Sequence, residues 1–455
     1  MTLPYADTRM VMSAGAHAAA LLRLAGPLAV AQLSFIAMNV TDTVLLGALG
    51  GDALAAGGFA AALAWTVDVM LHSTLQAVGT FISRARGAGQ SARDEIVTGF
   101  VLALLLLVPS FVWQSFAADV LRLLGEPGAV VDDAERFLHV LRWDGVGSIV
   151  GIGFMRALFP ALGHTRPMLF VPACAAIANG FLSYGLIHGT GPLPALGYLG
   201  SALGTVITLW AMLAVLAVLA LRPAVRRNWQ GGRFDPRTAR ALLRIGVPIG
   251  ATVGVEATVF TTGGLLMGLL GPDALAAHQV TLSVAATCFM VPLGLAQAAN
   301  VRVAFFIGAG QGADARRAGL VAVGMALLFG VGTAVLLASF PHAIAVLYLR
   351  DGPAVPVTVS LLAIAAVFQV VDGTQTVAAG ALRGLADTRV PFIIASVGYW
   401  AVGFAVSVGL GFGAGWGPQG VWWGFAAGLL AVAVLMTARF HRLTRPFRSA
   451  SAPRP

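Results

Sequence analysis

Four acidic residues stand inside long apolar stretches of this sequence, where a charged side chain has little access to water. They are Asp42, Asp68, Glu256 and Asp372. A carboxylate at the centre of a bilayer-spanning helix costs about 2.5–3.5 kcal/mol on insertion scales, so such residues usually face a bundle interior and mark an ion or substrate pathway. Their positions therefore indicate binding or exchange of a cation within a membrane.

Asp372 and Glu256 are the most isolated of the four. Asp372, in "LLAIAAVFQVVDGTQTVAAG", is the only charged residue of 352–382, and Glu256 stands twelve residues after Arg244 and seventeen before Asp273. Neither side chain can extend to the membrane surface from a helix end. We interpret both as functional. The structural alternative is a hydrogen bond to a hydroxyl group of a neighbouring helix.

The other acids leave more room for structural roles. Asp42 lies in the polar stretch "NVTDT", so it is either a site residue or a helix cap. Asp68 precedes His72 by one helical turn, and a structural pair between them is expected because they share a helix face. Asp144 is close to Arg142, and local charge compensation is expected there.

The remaining sequence supplies the helices that must position these acids. The chain is 58% hydrophobic and 10% charged, with a mean hydropathy of +0.86, which is typical of an integral membrane protein. Crossing a hydrocarbon core takes roughly 20 apolar residues. Such runs start near residues 21, 53, 95, 137, 168, 197, 245, 275, 318, 356, 391 and 418. The sequence therefore predicts an all-α integral membrane protein with twelve transmembrane helices.

The basic residues indicate topology rather than nucleic-acid binding. The net charge is +9 and there is no lysine, and the arginines concentrate in every second loop. By the positive-inside rule, both termini and the basic loops are expected in the cytoplasm. We expect the cytoplasmic (inner) membrane as the location, no nucleic-acid partner, and a monomer in the lipid bilayer.

The chain is an internal duplication. "GALGGDALAA" at 47–56 recurs as "GLLGPDALAA" at 268–277, and "GAGQ" at 87–90 recurs at 308–311, both with an offset of 221 residues. Self-similarity at one fixed offset indicates repeated structural units. Because an even number of helices per repeat preserves orientation, two six-helix bundles related by a pseudo-twofold axis along the membrane normal are expected. The predicted division is an N-lobe at 1–221, a cytoplasmic linker at 222–240 and a C-lobe with a basic tail at 241–455.

The acids were not copied with the repeat. When the repeats are aligned at the offset of 221, Phe35 takes the position of Glu256 and Gly263 takes the position of Asp42. A structural need shared by both repeats would have kept both members of each pair. The asymmetry indicates that each lobe has its own polar site.

The sequence resembles the multidrug and toxic compound extrusion (MATE) transporters, NorM branch, over essentially its whole length. The most specific segments are the glutamate helix "GVPIGATVGVEATVFTTGG" with the following "ALAAHQ", and "FQVVDGTQTVAAGALRG". "TDTVLLGALGGDALAA" and "GAGQ" match the first two helices and the loop after them. The resemblance implies a twelve-helix secondary transporter that exports bulky organic, mainly cationic compounds in exchange for protons or sodium.

The resemblance also implies residue roles. Glu256 and Asp372 correspond to the carboxylates of a C-lobe cation site, and Asp42 to the acid of the N-lobe. Asn179, Ser183 and Thr205 stand where the fifth and sixth helices supply polar partners, although many relatives have an acid or asparagine at the position of Ser183. Glu256, Asp372, Asp42 and Phe368 are the expected substrate contacts, with aromatic walls suited to cation–π contact.

The coupling ion is expected to be the proton, with sodium as the alternative. Phe368 stands one turn before Asp372, where well-known members carry tyrosine, so the C-lobe site has one oxygen fewer. A hard cation needs several oxygen ligands, whereas a proton needs one carboxylate. Asp42, Asn179 and Thr205 remain the candidate sodium ligands.

Two other functions are alternatives to the predicted multidrug transporter. A related flippase for lipid-linked precursors is the nearest, although such proteins usually have a cationic cavity. A membrane enzyme is more remote, because the eight histidines are scattered and form no metal cluster in the sequence. No GxxxxGK[ST] motif is present, so direct drive by ATP and a bound cofactor are not expected.

The arginine pattern makes a topological prediction. A cysteine introduced near Gly231 should resist impermeant thiol reagents in intact cells and react after the membrane is permeabilised, because the linker is expected in the cytoplasm. Ready labelling from outside the cell would overturn this topology.

Overall fold

The computed structural model describes residues 12–123, 125 and 128–447, and this part of the chain consists of helices joined by short connections, with no β-strand. Within it, eleven helices are long and apolar enough to cross a membrane, and a shorter apolar helix lies at Val146–Ala161. The predicted all-α membrane fold is confirmed. The first eleven residues and the end of the basic tail, 448–455, lie outside the described residues.

We number the spans α1 to α12 in chain order. Each predicted start falls within its helix or two residues before it. The bounds are α1 Ala14–Leu49, α2 Gly51–Gly87, α3 Arg93–Leu123, α4 128–161, α5 Arg166–His188, α6 Leu199–Leu221, α7 Pro236–Leu269, α8 Pro272–Gly308, α9 Gly312–Ser339, α10 Ala354–Gly384, α11 Arg389–Gly413 and α12 Pro418–Thr444.

Helix α4 is interrupted where the other spans are continuous or nearly so. Its first part, Gly128–Leu141, ends in a turn, and the chain resumes as a π-helical segment at Val146–Met155. π-Helical turns are uncommon and often mark functional positions. Asp144 is the first residue after this turn.

The duplication is visible in the backbone at the helix ends. Gly50 and Gly271, which are 221 residues apart, both have large positive φ angles, 122° and 109°, at the turns between consecutive spans. Gly163 and Ala386, which follow α4 and α10, have φ of 82° and 61°. The residue that follows Gly163, and likewise the one that follows Ala386, donates its backbone N–H to the carbonyl oxygen five residues earlier. This is the Schellman pattern of helix termination.

Packing divides the chain into two compact units that differ from the predicted lobes at two places. The C-terminal unit comprises the described residues of Met1–Ala29, Gly87–Gly89 and Ala251–Pro455, and the N-terminal unit comprises Val30–Arg86 and Gln90–Gly250. Helices α1 and α7 therefore each contribute to both units. In each of these two helices, the boundary between the units lies two residues after an internal proline. The division into lobes at 221 and 241 stays a prediction.

Specific polar contacts hold the start of α1 within the C-terminal unit. His17 is fully buried, and its Nε2 lies 3.0 Å from Asp314 Oδ1 while its Nδ1 lies 3.2 Å from Arg302 Nη2. Arginine can only donate, so Nδ1 accepts and the Nε2–H donates to the aspartate. The imidazole thereby joins α1 to both α8 and α9.

The segment before α7 is fixed to the N-terminal unit. The backbone N–H of Asp235 donates to Thr98 Oγ1 at 3.0 Å, and the Asp235 carboxylate accepts from the N–H and hydroxyl of Thr238 at 2.9 and 2.7 Å. These bonds cap α7. The hydrogen bonds from Thr238, followed by that from the Arg237 N–H, hold the pKa of Asp235 below its usual value.

Helix α10 is the most buried element of the C-terminal unit. It packs against α8, α9 and α12, and its glycines permit close backbone approach. A Cβ at Gly380 would lie 2.3 Å from the carbonyl oxygen of Ala296 in α8. Small residues at such crossings are typical of helix packing in membranes. The tight packing places the side chain of Asp372 inside the unit.

Large apolar side chains cover the outer surfaces. On α3, for example, one exposed face carries Leu105, Val108, Val112 and Phe116, at helical spacing. In a bilayer such a face contacts lipid, since the helix satisfies its own backbone hydrogen bonds.

The equivalent turns at Gly163 and Ala386 predict opposite effects of reciprocal substitutions. Ala386→Gly should raise stability by about 1 kcal/mol, because alanine is strained in the left-handed region, and Gly163→Ala should lower it by a similar amount. Thermal unfolding in detergent measures both. An unchanged midpoint in both variants would contradict the assigned backbone conformations.

Candidate functional site

Glu256 and Asp372 lie together in the C-terminal unit. Asp372 is 4% exposed in the middle of α10, and Glu256 lines a small cavity on α7. Their carboxylates are close enough to interact electrostatically. Asp372 is thus buried, whereas Glu256 is half-buried. Two acids within electrostatic range of each other attract a cation or a proton.

The immediate polar neighbours of Asp372 lie on its own helix. Gln375 Nε2 donates to Asp372 Oδ1 at 3.3 Å and to Thr376 Oγ1 at 2.9 Å. Gln369, one turn earlier, donates instead to the carbonyl of Ala285 on α8 at 2.9 Å. The "FQVVDGTQT" stretch thus fixes both the acid and the helix that carries it.

Two further residues of this site escaped the sequence interpretation. Arg383, at the end of α10, interacts electrostatically with Glu256, and Tyr399 on α11 lies close to both acids and to Arg383. In the sequence, Arg383 indicated only the topology of its loop. Tyr399 lies in the π-helical segment Val397–Phe404, and its buried hydroxyl has no hydrogen-bond partner.

Aromatic side chains form the wall of the C-terminal site. Phe260 and Phe425 line the cavity with Glu256 and Tyr399, and their ring centroids are 5.6 Å apart. Phe368 lies behind them, 1% exposed, with its ring centroid 5.5 Å from that of Trp422. Phe260 and Phe425 therefore form the aromatic lining of the cavity, and Phe368 packs against Phe260 and Trp422 outside that lining.

A second polar site lies in the N-terminal unit around Asp42. Thr205 Oγ1 donates to Asp42 Oδ2 at 2.7 Å, and Ser183 Oγ donates to Asp42 Oδ1 at 3.3 Å. Asn179 Nδ2 lies 3.3 Å from Thr205 Oγ1 and 3.4 Å from Ser183 Oγ. The structure thus brings together all four residues that the sequence proposed for this site.

Ser201 also hydrogen-bonds to Asp42 and was missed. It lies on α6, four residues before Thr205, and is 1% exposed. That spacing places both hydroxyls on one face of the helix, so the sequence carried a signal for it. Asp42 lies inside α1 and accepts hydroxyl hydrogen bonds from α5 and α6, so it does not act only as a helix cap.

The expected pair between Asp68 and His72 is wrong. Asp68 accepts instead from Ser110 at 2.6 Å and from Gln114 at 3.3 Å, both on α3, and the Nδ1 of His72 has no hydrogen-bond partner. Asp68 accepts from donors on another helix and not from His72, its neighbour one turn along its own helix. Asp144 likewise lies beside Gln114, at 3.4 Å, instead of pairing with an arginine.

No group of three or more histidine, cysteine, aspartate or glutamate side chains in 12–123, 125 and 128–447 could hold a metal ion. The candidate sodium ligands Asp42, Asn179 and Thr205 provide one carboxylate, one amide oxygen and one hydroxyl. The Oδ1 of Asn179 is buried and has no hydrogen-bond partner.

The fold and its long apolar helices define a multi-pass membrane protein. The family profile described as MatE matches residues 27–184 and 248–408. The "Probable multidrug resistance protein NorM" of Burkholderia pseudomallei (strain K96243) is 49% identical over 434 residues, which cover 94% of this chain and 93% of that protein. The chain therefore belongs to the MatE family, in its NorM branch, and is a transporter, not an enzyme.

Other proteins agree with this assignment. The "Probable multidrug resistance protein NorM" of Pseudomonas aeruginosa PAO1 is 39% identical over 437 residues, covering 93% of this chain and 88% of that protein. The crystal structure of the eukaryotic MATE transporter AtDTX14 superposes with a TM-score of 0.85 at 20% identity, covering 96% of this chain and 99% of that one. The Vibrio cholerae MATE transporter VcmN in its bent form has a TM-score of 0.82 at 19% identity, covering 96% and 99%.

Proposed function

We propose that this protein is a secondary active multidrug efflux transporter that exchanges organic, mainly cationic compounds for protons by alternating access. The observation that carries the proposal is the pair of acids in the C-terminal unit, with Asp372 buried and the half-buried Glu256 lining a cavity with aromatic walls. The names of the NorM relatives support the breadth of substrates. They favour drug efflux over the flippase alternative.

The C-terminal site suits an organic cation. Glu256 supplies the negative charge, and the faces of Phe260 and Phe425 supply cation–π and stacking surfaces. Arg383 offsets part of the negative charge of the two acids. A proton and a cationic substrate would then compete for the remaining charge, which is the requirement of exchange.

The oxygen count at this site favours the proton over sodium. Phe368 supplies no ligand, and the described neighbours of Asp372 place the amide nitrogen of Gln375 against it. Sodium requires several oxygens whose lone pairs converge. The alternative of sodium coupling finds its support in the N-terminal unit, where the unpartnered Oδ1 of Asn179 lies near Asp42 and Thr205.

We further propose that the protein lies in the cytoplasmic (inner) membrane as a monomer with both termini in the cytoplasm. The arginine asymmetry supports the orientation.

The first functional prediction concerns the acids. Asp372→Asn and Glu256→Gln should each reduce dye efflux from reconstituted proteoliposomes to background while leaving membrane insertion intact, because each change keeps the shape and removes the charge. Asp119→Asn is the matched control, since Asp119 is an exposed acid paired with Arg122 at the end of α3. Undiminished efflux in both acid variants would refute the proposed C-terminal site.

The second concerns the coupling ion. An imposed pH gradient should drive substrate exchange in proteoliposomes free of sodium, and Phe368→Tyr should increase any response to a sodium gradient by adding an oxygen near Asp372. Efflux that requires sodium and ignores the pH gradient would show that proton coupling is wrong. Phe368→Leu, which adds no oxygen, controls for a change in packing.

A further inference from the structure

A second group of buried polar side chains lies in the N-terminal unit, apart from the Asp42 site. It consists of Asp68 on α2, Ser110 and Gln114 on α3, and Asp144 directly after the turn in α4, and we call it the acid-pair cluster. Gln114 Nε2 lies 3.3 Å from Asp68 Oδ2, 3.4 Å from Ser110 Oγ and 3.4 Å from Asp144 Oδ1. One amide nitrogen therefore bridges two carboxylates.

Helix α4 approaches this cluster closely because of a glycine. A Cβ at Gly145 would lie 2.8 Å from Ser110 Oγ and 3.9 Å from Asp68 Oδ2. Such a contact with the hydroxyl is shorter than normal packing allows. Glycine after Asp144 thus lets the backbone beside the second acid lie close to Ser110 and Asp68.

Within the part of the chain that the structure describes, no cation forms an ion pair with either acid. Among the described residues, neither Asp68 nor Asp144 has an arginine or histidine nitrogen within the 4.0 Å of an ion pair. The nearest titratable groups along the chain are His72 and Arg142, whose buried Nδ1 and Nε atoms make no hydrogen bond. Arg156 acts on His72 and donates to Gln32, and α6, which also packs on α4, contains no charged residue.

The acid-pair cluster has fewer hydrogen-bond donors than acceptor oxygens. The Ser110 hydroxyl donates to Asp68 Oδ1, which leaves the two hydrogens of Gln114 Nε2 facing three oxygens. The side chain of Gln114 is 3% exposed, and its Oε1 is buried with no partner. A buried acceptor without a donor is costly. One additional hydrogen on either carboxyl group would supply the missing donor, and rotation of the amide would present Oε1 to it.

We propose that Asp68 and Asp144 form a proton-binding pair that holds one proton between them. Two carboxylates sharing a buried site cannot both ionise freely, so the pair retains a proton until the second ionisation is forced. A metal ion fits less well, because the nitrogen of Gln114 already occupies the point at which the three oxygens converge. Loss of the proton would drive Asp144 away from α2 at the interruption of α4. A role of this proton in transport rests on the proposed proton coupling, whereas its binding does not.

Infrared spectroscopy of the full chain in lipid, without substrate, tests the proposal through the carbonyl stretch of protonated carboxyl groups. The Asp68→Asn/Asp144→Asn double variant should lack one band of the wild type and thereby assign it. In Asp68→Asn and Asp144→Asn alone, the remaining acid should bind its proton about tenfold or more weakly than the wild-type pair, because the repulsion between the acids is gone. Asp119→Asn should leave the band and its titration unchanged.

Three outcomes would overturn the proposal. The band could persist in the double variant, or the single variants could titrate like the wild type, which would make the acids independent. A wild-type band that disappears on adding sodium at constant pH would identify a metal site instead. Transport assays do not enter the test, so failure of the proposed proton coupling would leave its result intact.

Discussion

The structure depends on one constraint, which is that a charge inside the apolar interior must be met by a protein group or by a bound cation. Asp42 is met by the hydroxyls of Ser183 and Thr205. Glu256 has a nearby guanidinium, Arg383. The helices carrying these partners are held by packing of small residues and by polar anchors such as His17 with Asp314. Precise placement of a partner matters more here than in water, because the surroundings offer no substitute.

The duplicated scaffold and the unduplicated sites follow from different physical needs. Turn geometry recurs at equivalent positions because each repeat must end one helix and begin the next within a short turn, and Gly50 and Gly271 share a backbone conformation there. The acids are not required at equivalent positions of the two repeats, since Asp42 aligns with Gly263 and Glu256 aligns with Phe35. The scaffold therefore fixes where a buried acid can stand, and each half uses a different position.

The sequence predicted the spans and the membership of both acidic sites better than it predicted their contacts. Apolar run length determines a span almost alone, so twelve spans could be placed. The partner of Asp68 could not, because the rule for residues one turn apart competes with donors on other helices, and Ser110 lies 42 residues away in the chain. Arg383 was hidden for a related reason, since an arginine at a helix end normally extends to the membrane surface.

Tyr399 illustrates the same limit. Nothing in the pattern of α11 distinguishes it from an interfacial tyrosine, and only the π-helical backbone and the packing against α12 bring its hydroxyl into the unit. Ser201 differs, because its spacing of four residues from Thr205 could have been recognised once Thr205 was selected. Contacts along one helix are thus accessible from sequence, whereas contacts between helices require the fold.

The charges of the C-terminal site give a physical basis for the proposed exchange. Two carboxylates, Glu256 and Asp372, lie with one guanidinium, that of Arg383, so the ionised site lacks one positive charge. A proton or a singly charged organic cation supplies that charge. Binding both would leave an excess positive charge in a medium of low dielectric constant, where its cost is high. In the proposed exchange, the two ligands would therefore exclude each other electrostatically, without direct contact between them, and occupancy by one would require release of the other.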